Sequence, residues 1–190
     1  MKLKGSETEK NLLKAFAGES QARNRYTFFS NQARKEGYEQ IAAIFVETAE
    51  NEKEHAELFF KHLLGGEVEI TAAYPAGIIG TTADNLKTAA DGEKMEWGKL
   101  YPEFADVAKK EGFEKIEETF REIAGVEASH EKRYRILLKN VKAGTVFKKP
   151  KPVLWKCRNC GNVLEAAEVP DKCPVCYHDR AYFELFVETY

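Results

Sequence analysis

Several kinds of residue are scarce in this chain, and each shortage excludes something. Only four cysteines occur among 190 residues, all of them after position 156, so no disulfide framework braces the molecule as a whole. No stretch approaches the roughly 20 unbroken apolar residues of a membrane span. No apolar core follows the lysines of residues 1–9, so no export signal is readable and the reducing cytoplasm is the expected compartment. An excess of one charge is also missing. The 29 basic and 31 acidic residues leave a formal charge of −2, no field for gripping nucleic acid or an anionic membrane. Aspartate is rare as well: five Asp stand against 26 Glu, beside just four His.

Glycine and proline divide what is present into long segments. Ser6 with Glu9 reads as a capping box opening a helix that stops at Gly37. A second helix is expected from Tyr38 to Gly65–Gly66, then a crossover through Gly80 without helical period. A third helix starts at the Thr81–Thr82 cap and runs to Glu111, with Pro102 a local disturbance, and a fourth covers Phe113 to Val141. Residues 33–55 align without gaps onto 108–130 at an offset of 75, with 11 of 23 positions identical, including His55/His130. A helix pair repeated across a long crossover predicts a mainly α fold, a four-helix bundle of ferritin-like connectivity. The expected division is a bundle over 1–145, a basic, proline-bearing linker over 146–152, and a small β-rich tail over 153–190.

The inward seams carry carboxylates. Steps of three and four align Leu12, Phe16, Glu19, Arg23 and Tyr26 on the first helix, and Phe45, Thr48, Glu52, His55 and Phe59 on the second. The third and fourth contribute Leu86, Glu93 and Leu100, and Phe120, Ile123, Glu127, His130 and Tyr134. Each unpaired buried carboxylate costs several kcal/mol, and Arg23 is the one seam cation available to offset them. Hard metal ions would offset them. One Glu from each of two helices (Glu19, Glu93) and Glu-x-x-His from the other two (Glu52/His55, Glu127/His130) is the donor set of di-iron carboxylate bundles. Glu19 to Tyr26 spans seven residues, whereas Glu93 to Tyr101 spans eight. An inserted residue predicts a π-bulge that turns both Glu93 and Glu96 inward.

Cys157-x-x-Cys160 and Cys173-x-x-Cys176, twelve residues apart, form a tetrathiolate pattern, which zinc and iron fit equally well by spacing. His62 reads as a solvated or secondary histidine, and His178, two residues past Cys176, as a surface residue or one that reaches toward a second redox centre.

The motifs FAGESQARNRY, ENEKEH, DGEKMEW and VEASHEKR, followed by CRNCG and CPVC, resemble the rubrerythrin family over the whole length. The resemblance implies a di-iron pair in the bundle, a rubredoxin-like tetrathiolate iron in the tail, and reduction of hydrogen peroxide with protection against oxidative stress. It implies that Glu19, Glu52, Glu93, Glu96, Glu127 and His130 bind iron, and that His55 exchanges with Glu96. It places Tyr26 and Tyr101 in hydrogen bonds beside the site. Electrons are expected from rubredoxin or an NAD(P)H-dependent reductase, relayed through Cys157, Cys160, Cys173 and Cys176. The short linker favours a head-to-tail homodimer, or a larger assembly, with His178 near the contact. Zinc is a possible occupant in isolated protein. The rival readings are ferroxidase or iron storage, which leaves the tail unexplained, and a zinc-ribbon adaptor, which leaves the seam carboxylates unexplained.

Overall fold

A computed structural model describes residues 2–189. Five α-helices come first: α1 (Glu7–Lys35), α2 (Glu39–His62), α3 (Thr82–Met95), α4 (Tyr101–Glu111) and α5 (Glu114–Lys142). Residues Glu96–Leu100 between α3 and α4 are a π-helical turn, so α3, this turn and α4 make up the third long rod of a four-helix bundle. The π-bulge expected from the eight-residue spacing is therefore present. The Tyr101 N–H reaches back five residues to the Glu96 carbonyl. Pro102, expected to disturb the helix, sits just after this turn in the first turn of α4, where its missing N–H is tolerated.

The helix ends follow the repeat. Gly37 (φ 80°) and Gly112 (φ 83°) adopt the left-handed conformation that stops α1 and α4. Each is followed by the same backbone closure, Tyr38 N to Ala33 O and Phe113 N to Ala108 O, both 2.9 Å. Ser6 caps α1 by accepting from Glu9 N at 3.0 Å. The capping box is not reciprocal, however. Ser6 N is already bonded to Leu3 O, and the Glu9 carboxylate takes the Gly5 N–H instead.

Two apolar clusters fill the bundle. One gathers Tyr26, Phe29, Phe45, Leu86 and Tyr134 toward one end, and the other Leu12, Phe59, Tyr101, Ile116 and Phe120 toward the other. Each fully buried large side chain contributes about 1.5–3 kcal/mol, so both clusters hold the rods firmly on either side of the layer between them. That layer is polar: Glu19, Glu52, Glu93 and Glu127 are all at most 1% exposed. No helix among the described residues is long and apolar enough to cross a membrane.

The tail is a three-stranded antiparallel sheet of β1 (Lys148–Cys157), β2 (Val163–Glu168) and β3 (Phe183–Leu185), in the order β2-β1-β3. Strand β1 begins inside the segment read as a linker. Lys148 pairs with Glu168, and the register is interrupted between Lys148 and Val153, where Pro150 and Pro152 lie. Proline is tolerated in a sheet at such an irregularity, which is why these residues could be mistaken for a connector. Phe147 stacks on Tyr38 (centroids 6.0 Å, 11°), seating the tail against the α1–α2 corner.

Candidate metal centres

The seam carboxylates and histidines converge at mid-bundle in two overlapping groups. One is Glu19, Glu52, His55 and Glu127; the other is Glu52, Glu93, Glu127 and His130. The two middle carboxylates divide their oxygens between the histidines. Glu127 Oε1 lies 2.8 Å from His55 Nδ1, and Glu127 Oε2 lies 2.8 Å from His130 Nδ1. Glu52 does the same, with Oε2 2.9 Å from His55 and Oε1 3.3 Å from His130.

Most of these approaches lack the angles of hydrogen bonds. Both oxygens of Glu127, Glu52 Oε1, Glu19 Oε2, Glu93 Oε2 and His130 Nδ1 are buried without a hydrogen-bond partner among the described residues. Donor atoms about 2.1 Å from a shared octahedral cation stand about 3.0 Å apart, which is the spacing seen. The residues therefore fit a pair of cations with Glu52 and Glu127 between them.

Two tyrosines close the layer. Tyr26 donates to Glu93 Oε1 at 2.5 Å, and Tyr101 donates to Glu19 Oε1. Burial, followed by the neighbouring carboxylates, pushes Glu19, Glu93 and Glu96 well above the usual carboxylate range. Burial also pushes Glu127 up, but its contacts with His130 and His55 prevail and hold it at about 2. Burial lowers the histidines, yet Glu127 and Glu52 carry His55 up to about 10 and His130 to about 9. A site that stabilises shared protons so strongly without metal is a site of concentrated negative charge.

The structure separates the candidates. Glu96 belongs to neither four-residue group; it lies half-buried on the π-turn, lining a neighbouring cavity with Tyr101 and Arg25. Arg23, expected as the seam cation, turns away to Glu50 at 3.6 Å. His62 lies outside the metal groups as a secondary histidine, half-buried and within 2.9 Å of Thr119 Oγ1. Tyr134, read only as seam packing, is fully buried with its hydroxyl unpartnered and its ring 5.5 Å from that of Tyr26. Its place four residues after His130 was the one available signal. Trp97 Nε1 bonds Glu131 at 2.8 Å, a link that periodicity does not reveal.

In the tail, Cys157 Sγ lies 3.8 Å from Cys176 Sγ, and Cys160 Sγ lies 3.7 Å from Cys173 Sγ. These are not disulfides. Sulfurs about 2.3 Å from one tetrahedral metal stand about 3.8 Å apart. Each pair sits in a matching knuckle: Gly161 N bonds Cys157 O at 2.8 Å, and Tyr177 N bonds Cys173 O at 2.9 Å. Gly161 (φ 78°) and Tyr177 (φ 59°) occupy the same left-handed position. Cys157 and Cys173 are buried, whereas Cys160 is exposed; its neighbour Asn159 contacts His178, which lies 3.1 Å from the Cys176 carbonyl.

A ferritin-like bundle holding a carboxylate–histidine pair site, joined to a tetrathiolate tail, defines a di-metal redox protein of two domains. The comparisons agree. The Rubrerythrin family model matches residues 10–138, and the model for the rubrerythrin rubredoxin-like domain matches 155–184. The chain is 58% identical over 188 residues to rubrerythrin from Porphyromonas gingivalis (strain ATCC BAA-308 / W83), covering 99% of this chain and 94% of that one. It is also 58% identical over 192 residues to rubrerythrin from Clostridium perfringens (strain 13 / Type A), covering 99% and 98%. Nigerythrin in its fully reduced, all-ferrous state superposes with a TM-score of 0.63 at 32% identity, over 96% of this chain and 87% of that one. The chain belongs to the rubrerythrin family. It presents both ligand sets of that family, for a di-iron carboxylate site and a rubredoxin-like four-cysteine site, and the family's function is of the oxidoreductase, peroxidase type.

Proposed function

We propose that this protein reduces hydrogen peroxide to water in the cytoplasm and so protects against oxidative stress. Electrons would come from rubredoxin or an NAD(P)H-linked reductase and enter through the tail. The observation that carries the reading is the division of the Glu52 and Glu127 oxygens between His55 and His130. In that arrangement Glu19, Glu52, Glu93, Glu127, His55 and His130 would hold two irons, and Cys157, Cys160, Cys173 and Cys176 a third. When bound, the paired irons supply together the two electrons that O–O cleavage consumes, while the single thiolate iron passes electrons one at a time.

The chain's own groups do the rest. Glu52 and Glu127 each turn one oxygen toward His55 and the other toward His130, so both would help hold the two irons. Tyr26 and Tyr101 hold Glu93 and Glu19 by hydrogen bonds and keep protons within the dry layer. Glu96, carried by the π-turn and facing the adjacent cavity, is the carboxylate free to trade places with His55. The tail docks at Tyr38, fourteen residues before Glu52 on the same rod, or about 21 Å along the axis. That separation favours electron supply from the tail of a second subunit in a head-to-tail homodimer.

The deciding experiment is rapid-mixing oxidation of the fully reduced protein by hydrogen peroxide and by dioxygen. Peroxidase function predicts much faster oxidation by peroxide; preference for dioxygen with iron uptake would establish ferroxidase chemistry instead. Cys160→Ser should abolish fast re-reduction while leaving the first oxidation of the bundle irons intact.

A further inference from the structure

One cavity adjoins the metal layer. It measures about 360 Å³ and reaches from Glu96 and Tyr101 to the crossover residues Thr71–Pro75. Hydrogen peroxide needs little more room than a water, for which a cavity of about 10–15 Å³ suffices. A volume of this size instead falls within the range of sites for organic small molecules, about 300–1,000 Å³.

The walls suit such a guest. Phe104, Leu100 and Ala15 supply apolar surface, and Arg25 and Glu96 supply charge at the end nearest the metal layer. Arg25 acts electrostatically on Glu96, but it has no carboxylate within 4.0 Å among the described residues, so its guanidinium is available. The roof is built rather than loose, because Tyr74 donates its hydroxyl to the Lys14 carbonyl at 2.7 Å.

The wall of α3 is left open at Gly92. Glycine inside a helix is less stable than alanine there, yet a Cβ at Gly92 would meet nothing within 4 Å. The space beside it is vacant, not tightly packed. Gly92 immediately precedes Glu93, so a side chain at this position enters the cavity without belonging to the ligand set.

We propose that this cavity admits organic hydroperoxides, ROOH with a compact alkyl or aryl group, as substrates of the same site. The organic group lies against Phe104 and Leu100, and the peroxy end points toward Arg25 and Glu96. The O–O bond breaks as two electrons from the family's iron relay and two protons are taken up: ROOH + 2e⁻ + 2H⁺ → ROH + H₂O. This inference rests on the peroxidase reading, and the test separates the two.

Reduced holoprotein is mixed with hydrogen peroxide, tert-butyl hydroperoxide and cumene hydroperoxide, for the wild type, Gly92→Leu and, at the exposed roof, Ala73→Phe. Binding of the unreactive product alcohol 2-phenyl-2-propanol to the oxidised holoprotein is measured in parallel by calorimetry. The expected result is cumene hydroperoxide oxidising the wild type within about tenfold of hydrogen peroxide. Gly92→Leu should slow the organic substrates at least tenfold and weaken alcohol binding by a similar factor, with hydrogen peroxide changed less than twofold. Ala73→Phe should do the same in milder form, and it serves if Gly92→Leu does not fold. Failure of cumene hydroperoxide alone, absence of saturable alcohol binding, or equal loss for all three peroxides in the variants overturns the proposal. Failure of hydrogen peroxide as well overturns the peroxidase reading itself.

Discussion

Tyr101 donates its hydroxyl to Glu19 across the bundle, and Tyr26, at the matching position of the other half, donates to Glu93. Each half thus orients the first carboxylate of the opposite half. In Glu19 and Glu93 the second oxygen has no hydrogen-bond partner among the described residues, where the tyrosine supplies the one hydrogen bond to each side chain. Residues that orient metal ligands typically contribute about 10–100-fold to metal affinity or activity. Tyr101→Phe should therefore loosen the group containing Glu19 and His55, and Tyr26→Phe the group containing Glu93 and His130. Chelator competition on the refilled protein should show one of the two bundle metals leaving about tenfold more readily in each variant, with helical circular dichroism unchanged. Wild-type metal retention in both would remove this role from the tyrosines.

Much of this layer was legible because it depends on angle alone. A Glu at the seam of a helix packed on three others must point inward, and the offset-75 repeat matched His55 to His130. The π-turn was legible for the same reason, as one surplus residue between Glu93 and Tyr101. Periodicity says nothing of which oxygen meets which nitrogen, so the division of the Glu52 and Glu127 oxygens had no sequence signal. It also failed at Arg23, whose long side chain turns out to Glu50 from a seam position. The crossover carries no period, and its path over the cavity, with Tyr74 on Lys14, had no sequence signal. Nor did the docking of Phe147 on Tyr38, a contact between residues more than a hundred positions apart.

The repeat also governs stability at the rod ends. Glu111 accepts from Glu7 N, Thr8 N and Thr8 Oγ1 at the start of α1, and Glu36, its equivalent 75 residues earlier, accepts from Thr82 N at the start of α3. An anion at a helix N-terminus contributes about 0.3–1 kcal/mol. Partial burial raises both carboxyls, but the hydrogen bonds outweigh it and leave each below the ordinary value of 4.5. A lowered folded value means that the stabilisation is complete above 4.5 and disappears as pH falls through the lowered value. Glu111→Ala should lower the thermal midpoint by about 1–3 °C at pH 7. The double variant with Glu36→Ala should lose about twice as much, since the sites share no partner. In acid the difference from wild type should vanish; a constant difference down to the acid transition would show that the charge is not responsible.

The surplus residue in the π-turn is a direct target for deletion. Removing Gly98 shortens Glu93–Tyr101 to the seven-residue spacing of Glu19–Tyr26 and permits a regular helix. A regular helix turns about 100° per residue, so seven residues return close to the starting face, and Glu93 and Tyr101 should then share the layer face as Glu19 and Tyr26 do. Glu96, carried by the π-turn, is the side chain that is re-aimed. The refilled deletion variant should therefore keep both bundle metals and the metal of the four-cysteine tail, while oxidation of the reduced bundle by hydrogen peroxide slows about tenfold. Unchanged oxidation would show that the π-turn does not serve to aim Glu96.

The tail depends on its metal in a way that the bundle does not. Its buried cluster is Trp155, Cys157, Val169, Cys173 and Phe183, so two of its five members are metal-binding thiols. A segment of about 40 residues has room for little more core than this, and domains of that size usually fold only with a cross-link or a metal. Cys157→Ser should therefore release the sheet without melting the helices. Trp155, fully buried with its Nε1–H on the Ala166 carbonyl at 2.9 Å, reports the event directly. Its emission should shift to the red, and protease should cut within 145–157 and leave a helical fragment that still binds two metals. Emission from a buried Trp155 in a metal-free tail would instead show that the contacts of Phe147 and β1 with the bundle suffice to fold it.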